Sequence, residues 1–248
     1  MEKKTVIITG GGKGIGFGIA SAFAKEGYNI AITGRTEETL KEATEKLKEY
    51  TEVLPIVADG ADEKAVEDVI KRVYHHFGRI DTVINNAQAS KSGLKLIEHS
   101  KEDFDLAIYT GLYGAFYYMK YAFPYLKETK GSVINFASGA GLAGRDGQSS
   151  YAAAKEGIRG LSRVAATEWG EFGVRVNVVC PLVKTPALAQ WEKEYPDLYA
   201  KTIGAIPLGR FGDAEKDIGR MCVFLASDDA SYVTGETITM QGGSGLRP

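Results

Sequence analysis

The feature that most constrains this chain is the string Thr9-Gly10-Gly11-Gly12-Lys13-Gly14-Ile15-Gly16. It follows Thr5-Val6-Ile7-Ile8, a β-branched apolar segment that predicts a buried strand. After it, apolar and small residues recur at helical spacing up to Glu26, so the glycines lie on a strand-to-helix turn. Glycines let a phosphate approach the backbone closely, and the free N–H groups of a helix N-terminus favour an anion. The string therefore predicts a phosphate-binding turn, and the alternative is a tight turn without a ligand.

Predicted strands and helices alternate along the rest of the chain. The later strands are predicted at Asn29–Thr33, Val53–Ala58, Asp81–Asn85, Ser132–Ala137, Arg175–Val179 and Thr237–Met240. The helices are predicted at 15–26, 37–50, 62–77, 100–127, 149–172 and 213–225. Strict alternation predicts the α/β class: a doubly wound parallel sheet of seven strands with helices on both faces, a single-domain Rossmann fold over 1–248. Segment 186–207 shows no clear period, so we expect it to be irregular and to border the substrate pocket.

Composition and charge limit the possible partners. A net charge of −2 argues against broad attraction to nucleic acid or acidic membranes, and no apolar run is long enough to span a bilayer. The two cysteines, Cys180 and Cys222, are too few for a disulfide framework, and no signal peptide opens the chain, so we expect a cytoplasmic protein. The three histidines lack ligand spacing, so no metal site is predicted. A small-molecule substrate is the partner that remains.

A positive charge follows the second predicted strand. Arg35 lies nineteen residues after Gly16, at the sheet edge where doubly wound folds bind the adenosine half of a dinucleotide. An acidic residue there would bind the ribose hydroxyls, whereas arginine suits a 2′-phosphate, and Lys13 adds a second cation nearby. These residues predict NADP(H) as the cofactor. The alternative is that Arg35 is an ordinary solvated surface charge.

Tyr151 and Lys155 are four residues apart, so they share one face of the helix predicted at 149–172. An ammonium beside a phenol is expected to lower the phenol pKa from about 10, which would make Tyr151 a general acid and base. Ser138 ends the fifth strand, where its hydroxyl would hydrogen-bond a carbonyl oxygen. Alone, such a tyrosine–lysine pair is common on helix surfaces. Together with Ser138 and the glycine string, it indicates proton transfer to a carbonyl group.

With these motifs the sequence resembles a short-chain dehydrogenase/reductase from Thr5 to about Gly243. The further matching motifs are Asp59, Asn85-Asn86-Ala87, Asn177 with Pro181, Thr185-Pro186, Pro207-Leu208-Gly209-Arg210, Phe224-Leu225-Ala226-Ser227-Asp228, Thr234-Gly235-Glu236 and Gly242-Gly243. The resemblance implies an NADPH-dependent carbonyl reductase acting on a hydrophobic ketone such as a 3-oxoacyl thioester, a cyclic ketone or a hydroxysteroid. In such an enzyme Tyr151 would donate the proton and Ser138 would polarise the carbonyl.

The resemblance also implies a set of cofactor contacts. Asp59 would contact the adenine, Asn86 the adenosine side and Lys155 the nicotinamide ribose, while Val183 and Thr185 would lie beside the carboxamide. The expected cofactor-binding residues are Gly10, Gly12, Lys13, Gly14, Ile15, Gly16, Arg35, Asp59, Asn86, Tyr151, Lys155, Val183 and Thr185. A homotetramer or a dimer, built partly on the helices predicted at 100–127 and 149–172, is also implied.

Four features depart from the family pattern, among them Gln241, which stands where the family usually has aspartate. Gly111 stands where the family has a catalytic asparagine, whose backbone carbonyl joins a water-linked proton path. Glycine keeps that carbonyl, so we expect Gly111 to act as a catalytic position, to tolerate Gly111→Asn and to make the helix irregular at Thr110–Gly111. The alternative is that Gly111 only lets another helix or side chain pack closely, in which case asparagine would clash and lower stability. Gln88 replaces a glycine, and the loop from Pro181 to Thr185 is one residue short. These departures leave a second hypothesis open, a cofactor-binding sensor or scaffold with little turnover.

Overall fold

The computed structural model describes residues 3–245, with side chains for all of these except residues 186 and 187. Within this range, seven parallel strands form one sheet: β1 Thr5–Thr9, β2 Asn29–Gly34, β3 Val53–Val57, β4 Thr82–Asn85, β5 Ser132–Phe136, β6 Arg175–Pro181 and β7 Thr237–Met240. Their order is β3-β2-β1-β4-β5-β6-β7. The order reverses between β1 and β4, and in such sheets a ligand crevice opens beyond the carboxyl ends of these strands. The predicted doubly wound α/β fold is confirmed.

The described range contains ten α-helices, and the sheet has helices on both of its faces. They are α1 Gly14–Lys25, α2 Glu37–Leu47, α3 Glu63–Phe77, α4 Lys101–Ala107, α5 Gly114–Thr129, α6 Gly139–Ala143, α7 Ser149–Trp169, α8 Pro186–Glu194, α9 Pro196–Gly204 and α10 Arg220–Ala226. Alternate residues of β1 enter two different cores: Ile8 packs in the cluster that contains Phe23 of α1, and Ile7 in the cluster that contains Val69 of α3. Burial on both faces is typical of a parallel sheet and explains why its strands are continuously apolar. None of the helices described is long and apolar enough to cross a membrane.

Local signals placed several element boundaries correctly. The Asp62 side chain accepts hydrogen bonds from the backbone N–H groups of Lys64 and Ala65, which caps α3 where the sequence predicted it to begin. The helix ends at Gly78, whose φ of 73° is a left-handed conformation that glycine adopts at little cost. The sequence therefore defines α3 at both ends.

The helix predicted at 100–127 is interrupted. A π-helical turn over Ile108–Tyr113 separates α4 from α5, so the irregularity predicted at Thr110–Gly111 is confirmed. Such turns are rare and are often found at functional sites. α5 contains Pro124 and continues to Thr129, two residues beyond the predicted end of this helix. A second π-helical turn, Ala214–Gly219, precedes α10, where one continuous helix was predicted.

Segment 186–207 was predicted to be without regular structure, and this is wrong for most of its length. It folds as α8 and α9, and each of these helices begins with a proline. Proline is favoured at the first position of a helix, where a backbone N–H would have no partner within the helix. Thr185 caps α8 by accepting the Leu188 N–H at 3.2 Å. Tyr199 of α9 packs against Phe211 with ring centroids 5.6 Å apart. Two nine-residue helices are too short to show a clear period, and they are stabilised by this contact with a later segment.

Candidate functional site

The glycine string forms the turn that the sequence predicted between β1 and α1. Gly10 has a φ of 67° and donates its N–H to the Thr33 carbonyl at 2.8 Å. A Cβ at Gly16 would lie 2.2 Å from the Gly10 carbonyl oxygen, so only glycine allows this close approach. Gly14 begins α1, and a Cβ there would have no heavy atom within 4 Å. The position that a side chain of residue 14 would occupy is therefore open at the first residue of α1.

A cavity of about 320 Å³, called here the first cavity, lies beside this turn. The predicted cofactor residues that line it are Gly10, Gly12, Lys13, Arg35, Asp59 and Asn86. Lys13 and Arg35 are exposed, and no described residue forms an ion pair or a side-chain hydrogen bond with either. The structure thus brings both cations to the rim of one cavity with their charges available to a ligand.

Asn86 is held firmly by the turn. Its side-chain amide donates to the Thr9 carbonyl at 3.0 Å, and its backbone N–H donates to the Thr9 hydroxyl, also at 3.0 Å. Asp59 accepts the Ala61 N–H at 3.0 Å, which orders the segment after β3. Both residues therefore shape the backbone around the first cavity.

A second cavity of about 580 Å³ lies next to the first, and Asn86 lines both. Its walls include the expected catalytic residues Ser138, Tyr151 and Lys155, and the expected cofactor residues Ile15, Val183 and Thr185. Ser138 follows β5, Tyr151 and Lys155 come from α7, and Val183 and Thr185 follow β6. The carboxyl ends of neighbouring parallel strands meet at one edge of the sheet, which is why residues so distant in sequence share this cavity.

Lys155 is buried, with 4% of its surface exposed, and its Nζ donates to the Phe136 carbonyl oxygen at 2.6 Å. The Nζ lies 5.5 Å from the centroid of the Tyr151 ring. Burial disfavours the charged ammonium and lowers the pKa of Lys155 from 10.5 to about 8. The lysine is therefore still mostly charged at neutral pH, close to the tyrosine.

The prediction that the ammonium lowers the Tyr151 pKa is wrong. Burial raises the pKa of Tyr151 above 10.0, and the hydrogen bond with Ser138 only partly offsets this. At a pH high enough to ionise the phenol, Lys155 has already lost its proton and no longer attracts a phenolate. Tyr151 therefore holds its proton at neutral pH, which suits a proton donor.

Gly111 lies buried in the π-helical turn and lines neither cavity. Its carbonyl oxygen accepts the backbone N–H of Gly114. A Cβ at Gly111 would lie 2.7 Å from the Cδ atom of Gln88, so Gly111→Asn requires the Gln88 side chain to move. The expectation that asparagine fits at position 111 without rearrangement is therefore corrected. A catalytic role for the Gly111 backbone carbonyl stays a prediction.

The sequence did not predict one hydrogen-bonded contact beside this turn. The Thr110 hydroxyl oxygen accepts the Ala89 N–H at 3.0 Å and lies 2.9 Å from the Ala89 carbonyl oxygen. No sequence signal indicates this contact, because it depends on how the π-helical turn packs against the segment after β4. Within the described range, no group of three or more His, Cys, Asp or Glu side chains is placed to hold a metal ion.

The chain is similar to known proteins over nearly its whole length. Residues 10–244 match the family model described as enoyl-(acyl carrier protein) reductase. The chain is 56% identical to a 12alpha-hydroxysteroid dehydrogenase from a Clostridium species, over 100% of this chain and 98% of that protein. It is 34% identical to the 3-oxoacyl-[acyl-carrier-protein] reductase FabG of Thermotoga maritima, over 98% of both chains.

Solved structures give the same result. Levodione reductase superposes with a TM-score of 0.91 and 33% identity, over 98% of this chain and 97% of that one. NAD+-bound xylitol dehydrogenase superposes with a TM-score of 0.90 and 28% identity, over 97% and 98%. These relatives are dehydrogenases and reductases, so the chain is an oxidoreductase acting on an alcohol–carbonyl pair. In fold, motifs and relatives alike, it belongs to the short-chain dehydrogenase/reductase family.

Proposed function

We propose that the protein is an NADPH-dependent carbonyl reductase in which Tyr151 donates the proton. The observation that carries this proposal is that Ser138, Tyr151 and Lys155 line one cavity, directly beside the cavity formed by the glycine turn. The dinucleotide would lie along the glycine turn. Gly10, Gly12 and Lys13 of that turn line the first cavity, and α1 begins at the next residue, Gly14, where free N–H groups favour a phosphate.

The preference for NADPH over NADH rests on Lys13 and Arg35. Both line the first cavity without a partner among the described residues, at the end where the adenosine half would bind. Arginine pairs with phosphate through two parallel hydrogen bonds, whereas a neutral ribose hydroxyl offers no charge to pair with. Two unpaired cations therefore favour the 2′-phosphate.

The side chains of the second cavity supply the proton chemistry. The bound cofactor would supply a hydride to the carbonyl carbon. Tyr151 would protonate the carbonyl oxygen, and the Ser138 hydroxyl would hydrogen-bond the same oxygen. The ammonium of Lys155 would stabilise the phenolate that Tyr151 leaves, because an opposite charge nearby favours the ionised form. We keep Gly111 as a proposed contributor through its backbone carbonyl.

The substrate we propose is a bulky hydrophobic ketone, with the ketone form of a hydroxysteroid as the first class and a 3-oxoacyl thioester as the second. Two relatives, the hydroxysteroid dehydrogenase and the 3-oxoacyl reductase, support these classes by name. The walls of the second cavity contribute Ala140, Ala143, Leu182 and Val183. We further propose that segment 186–207, with α8 and α9, borders this pocket.

A homotetramer or a dimer is the assembly we propose. Tyr109 and Tyr113 stack with ring centroids 5.1 Å apart, and both are exposed together with Phe116. Exposed aromatic rings grouped on one helix surface are typical of an interface between subunits. The two cysteines are free thiols, which supports our proposal of a cytoplasmic location.

A direct test is the oxidation of NADPH with a panel of steroid ketones, cyclic ketones and 3-oxoacyl thioesters. We expect turnover with at least one bulky ketone and its loss in Tyr151→Phe. If the protein binds NADPH but turns over no carbonyl compound, the sensor or scaffold hypothesis replaces this proposal. The retention of Ser138, Tyr151 and Lys155 in one cavity argues against that outcome.

A further inference from the structure

Gln88 follows Ala87 at the end of β4 and lines the first cavity together with Asn86 and Asp59. Its carboxamide group is packed against Gly111 of the π-helical turn. A Cβ at Gly111 would lie 2.7 Å from Cδ, 2.9 Å from Oε1 and 3.0 Å from Nε2 of Gln88. The carboxamide therefore fills the space that any side chain at position 111 would need.

The carboxamide of Gln88 makes no hydrogen bond there. Both Oε1 and Nε2 are buried, and neither has a partner among the described residues. Buried polar groups are nearly always paired, and an unpaired amide is less stable than an apolar group of the same shape. Packing alone would thus favour methionine over glutamine at this position.

The neighbouring backbone does not need this amide either. The Ala89 N–H is already accepted by the Thr110 hydroxyl at 3.0 Å, and the Ala87 N–H is accepted by the Thr9 hydroxyl at 2.9 Å. Gln88 therefore carries a spare donor and a spare acceptor at the wall of the first cavity. A side chain with three rotatable bonds can turn into that cavity while the backbone stays in place.

We propose that Gln88 is a cofactor-binding residue whose carboxamide bonds a ribose hydroxyl of the dinucleotide, and that Gly111, which has no side chain, leaves room for this carboxamide against the π-helical turn. An amide suits a ribose hydroxyl because each group both donates and accepts hydrogen bonds. The inference rests on the proposed function only in that the first cavity takes a nicotinamide dinucleotide. It links two departures from the family pattern, Gln88 and Gly111, through one contact.

The test compares Gln88→Met with the unmutated protein by calorimetry and by thermal unfolding with and without NADPH. Methionine has a similar volume and no amide, so without cofactor we expect the melting temperature to be equal or higher. With NADPH we expect about tenfold weaker binding and a smaller rise in melting temperature. Gln190→Met is the matched control, because Gln190 is exposed on α8 and bonds Glu194 at 2.8 Å, away from the first cavity.

A second variant separates binding from packing. In Gly111→Ala the new Cβ displaces the carboxamide from its buried position, and we expect NADPH to bind within about threefold of the unmutated affinity, because the amide is still available. If Gln88→Met binds NADPH as tightly as the unmutated protein, or if Gly111→Ala weakens binding as much as Gln88→Met does, the inference is overturned. If the unmutated protein binds neither NADPH nor NADH, the proposed function itself fails.

Discussion

The Nζ atom of Lys155 lies 2.6 Å from the carbonyl oxygen of Phe136, so a buried hydrogen bond joins α7 to β5. Ser138 follows β5 by two residues, and Tyr151 lies one helical turn before Lys155 on α7. This bond therefore sets the position of the lysine relative to both other expected catalytic side chains. It also holds the ammonium where burial lowers its pKa to about 8.

The first prediction concerns the pH dependence of stability. The unfolded chain holds the Lys155 proton up to about pH 10.5, whereas the folded chain releases it near pH 8. Below pH 8, burial of the charged ammonium lowers the free energy of unfolding by its full amount. As the pH rises from 8 to 10.5 the buried lysine is neutral, this penalty disappears, and the folded protein becomes more stable. Relative to Lys155→Met, the unmutated protein should gain on the order of 2–3 kcal/mol of unfolding free energy between about pH 7 and pH 10.

Urea unfolding of both proteins without cofactor measures this difference, in which the contributions of other titrating groups cancel. A difference that stays constant across this range would show that the lysine titrates at its ordinary pKa, and the burial argument would then be wrong.

The second prediction concerns the choice of cofactor. Because Lys13 and Arg35 line the first cavity unpaired, NADPH should bind at least tenfold more tightly than NADH, a difference of about 1.4 kcal/mol. Arg35→Asp should erase or reverse this preference, since a carboxylate repels the 2′-phosphate and accepts from ribose hydroxyls. Calorimetry with both cofactors is the measurement. Arg72→Asp, an exposed change on α3, is the control, and equal affinities in the unmutated protein would contradict the prediction.

The third prediction concerns the proton donor. Tyr151→Phe removes the hydroxyl and keeps the ring, so NADPH should bind nearly as before while turnover of a good ketone falls by about 100-fold or more. Steady-state rates and NADPH titrations of the same preparation separate the two effects. Tyr232→Phe is the control, since the Tyr232 side chain is fully exposed. Unchanged turnover in Tyr151→Phe would remove Tyr151 from the mechanism.

The fourth prediction concerns stability near the site. Asn135 of β5 accepts the Asn85 amide N–H at 2.8 Å and donates to the Ser162 hydroxyl at 2.8 Å, all of them buried. Asn135→Ala leaves both partners without this bond and should lower the unfolding free energy by about 2–4 kcal/mol. Thr167→Ala, an exposed change on α7, should cost less than about 0.5 kcal/mol. Urea unfolding tests both, and similar losses would mean that the buried bonds contribute little.

Much of the fold was determined by local sequence pattern. The apolar segment at Thr5, the glycines up to Gly16 and the cap at Asp62 each act over a few residues, so β1, its turn and the start of α3 were predictable. The spacing of Tyr151 and Lys155 likewise follows from helix geometry alone. Their meeting with Ser138 was expected because strict alternation of strands and helices predicts where the carboxyl ends of the strands lie.

Tertiary structure decided what depends on burial and on distant contacts. The pKa of Tyr151 rises because elements far away in sequence exclude water from it, which spacing to Lys155 does not reveal. The helices α8 and α9 are stabilised by packing such as that of Tyr199 on Phe211, and the sequence shows no period there. Gln88 and Gly111 were visible only as separate departures from a pattern. The Gln88 carboxamide fills the space that a side chain at Gly111 would occupy, and this follows from the packing of the π-helical turn against the segment after β4.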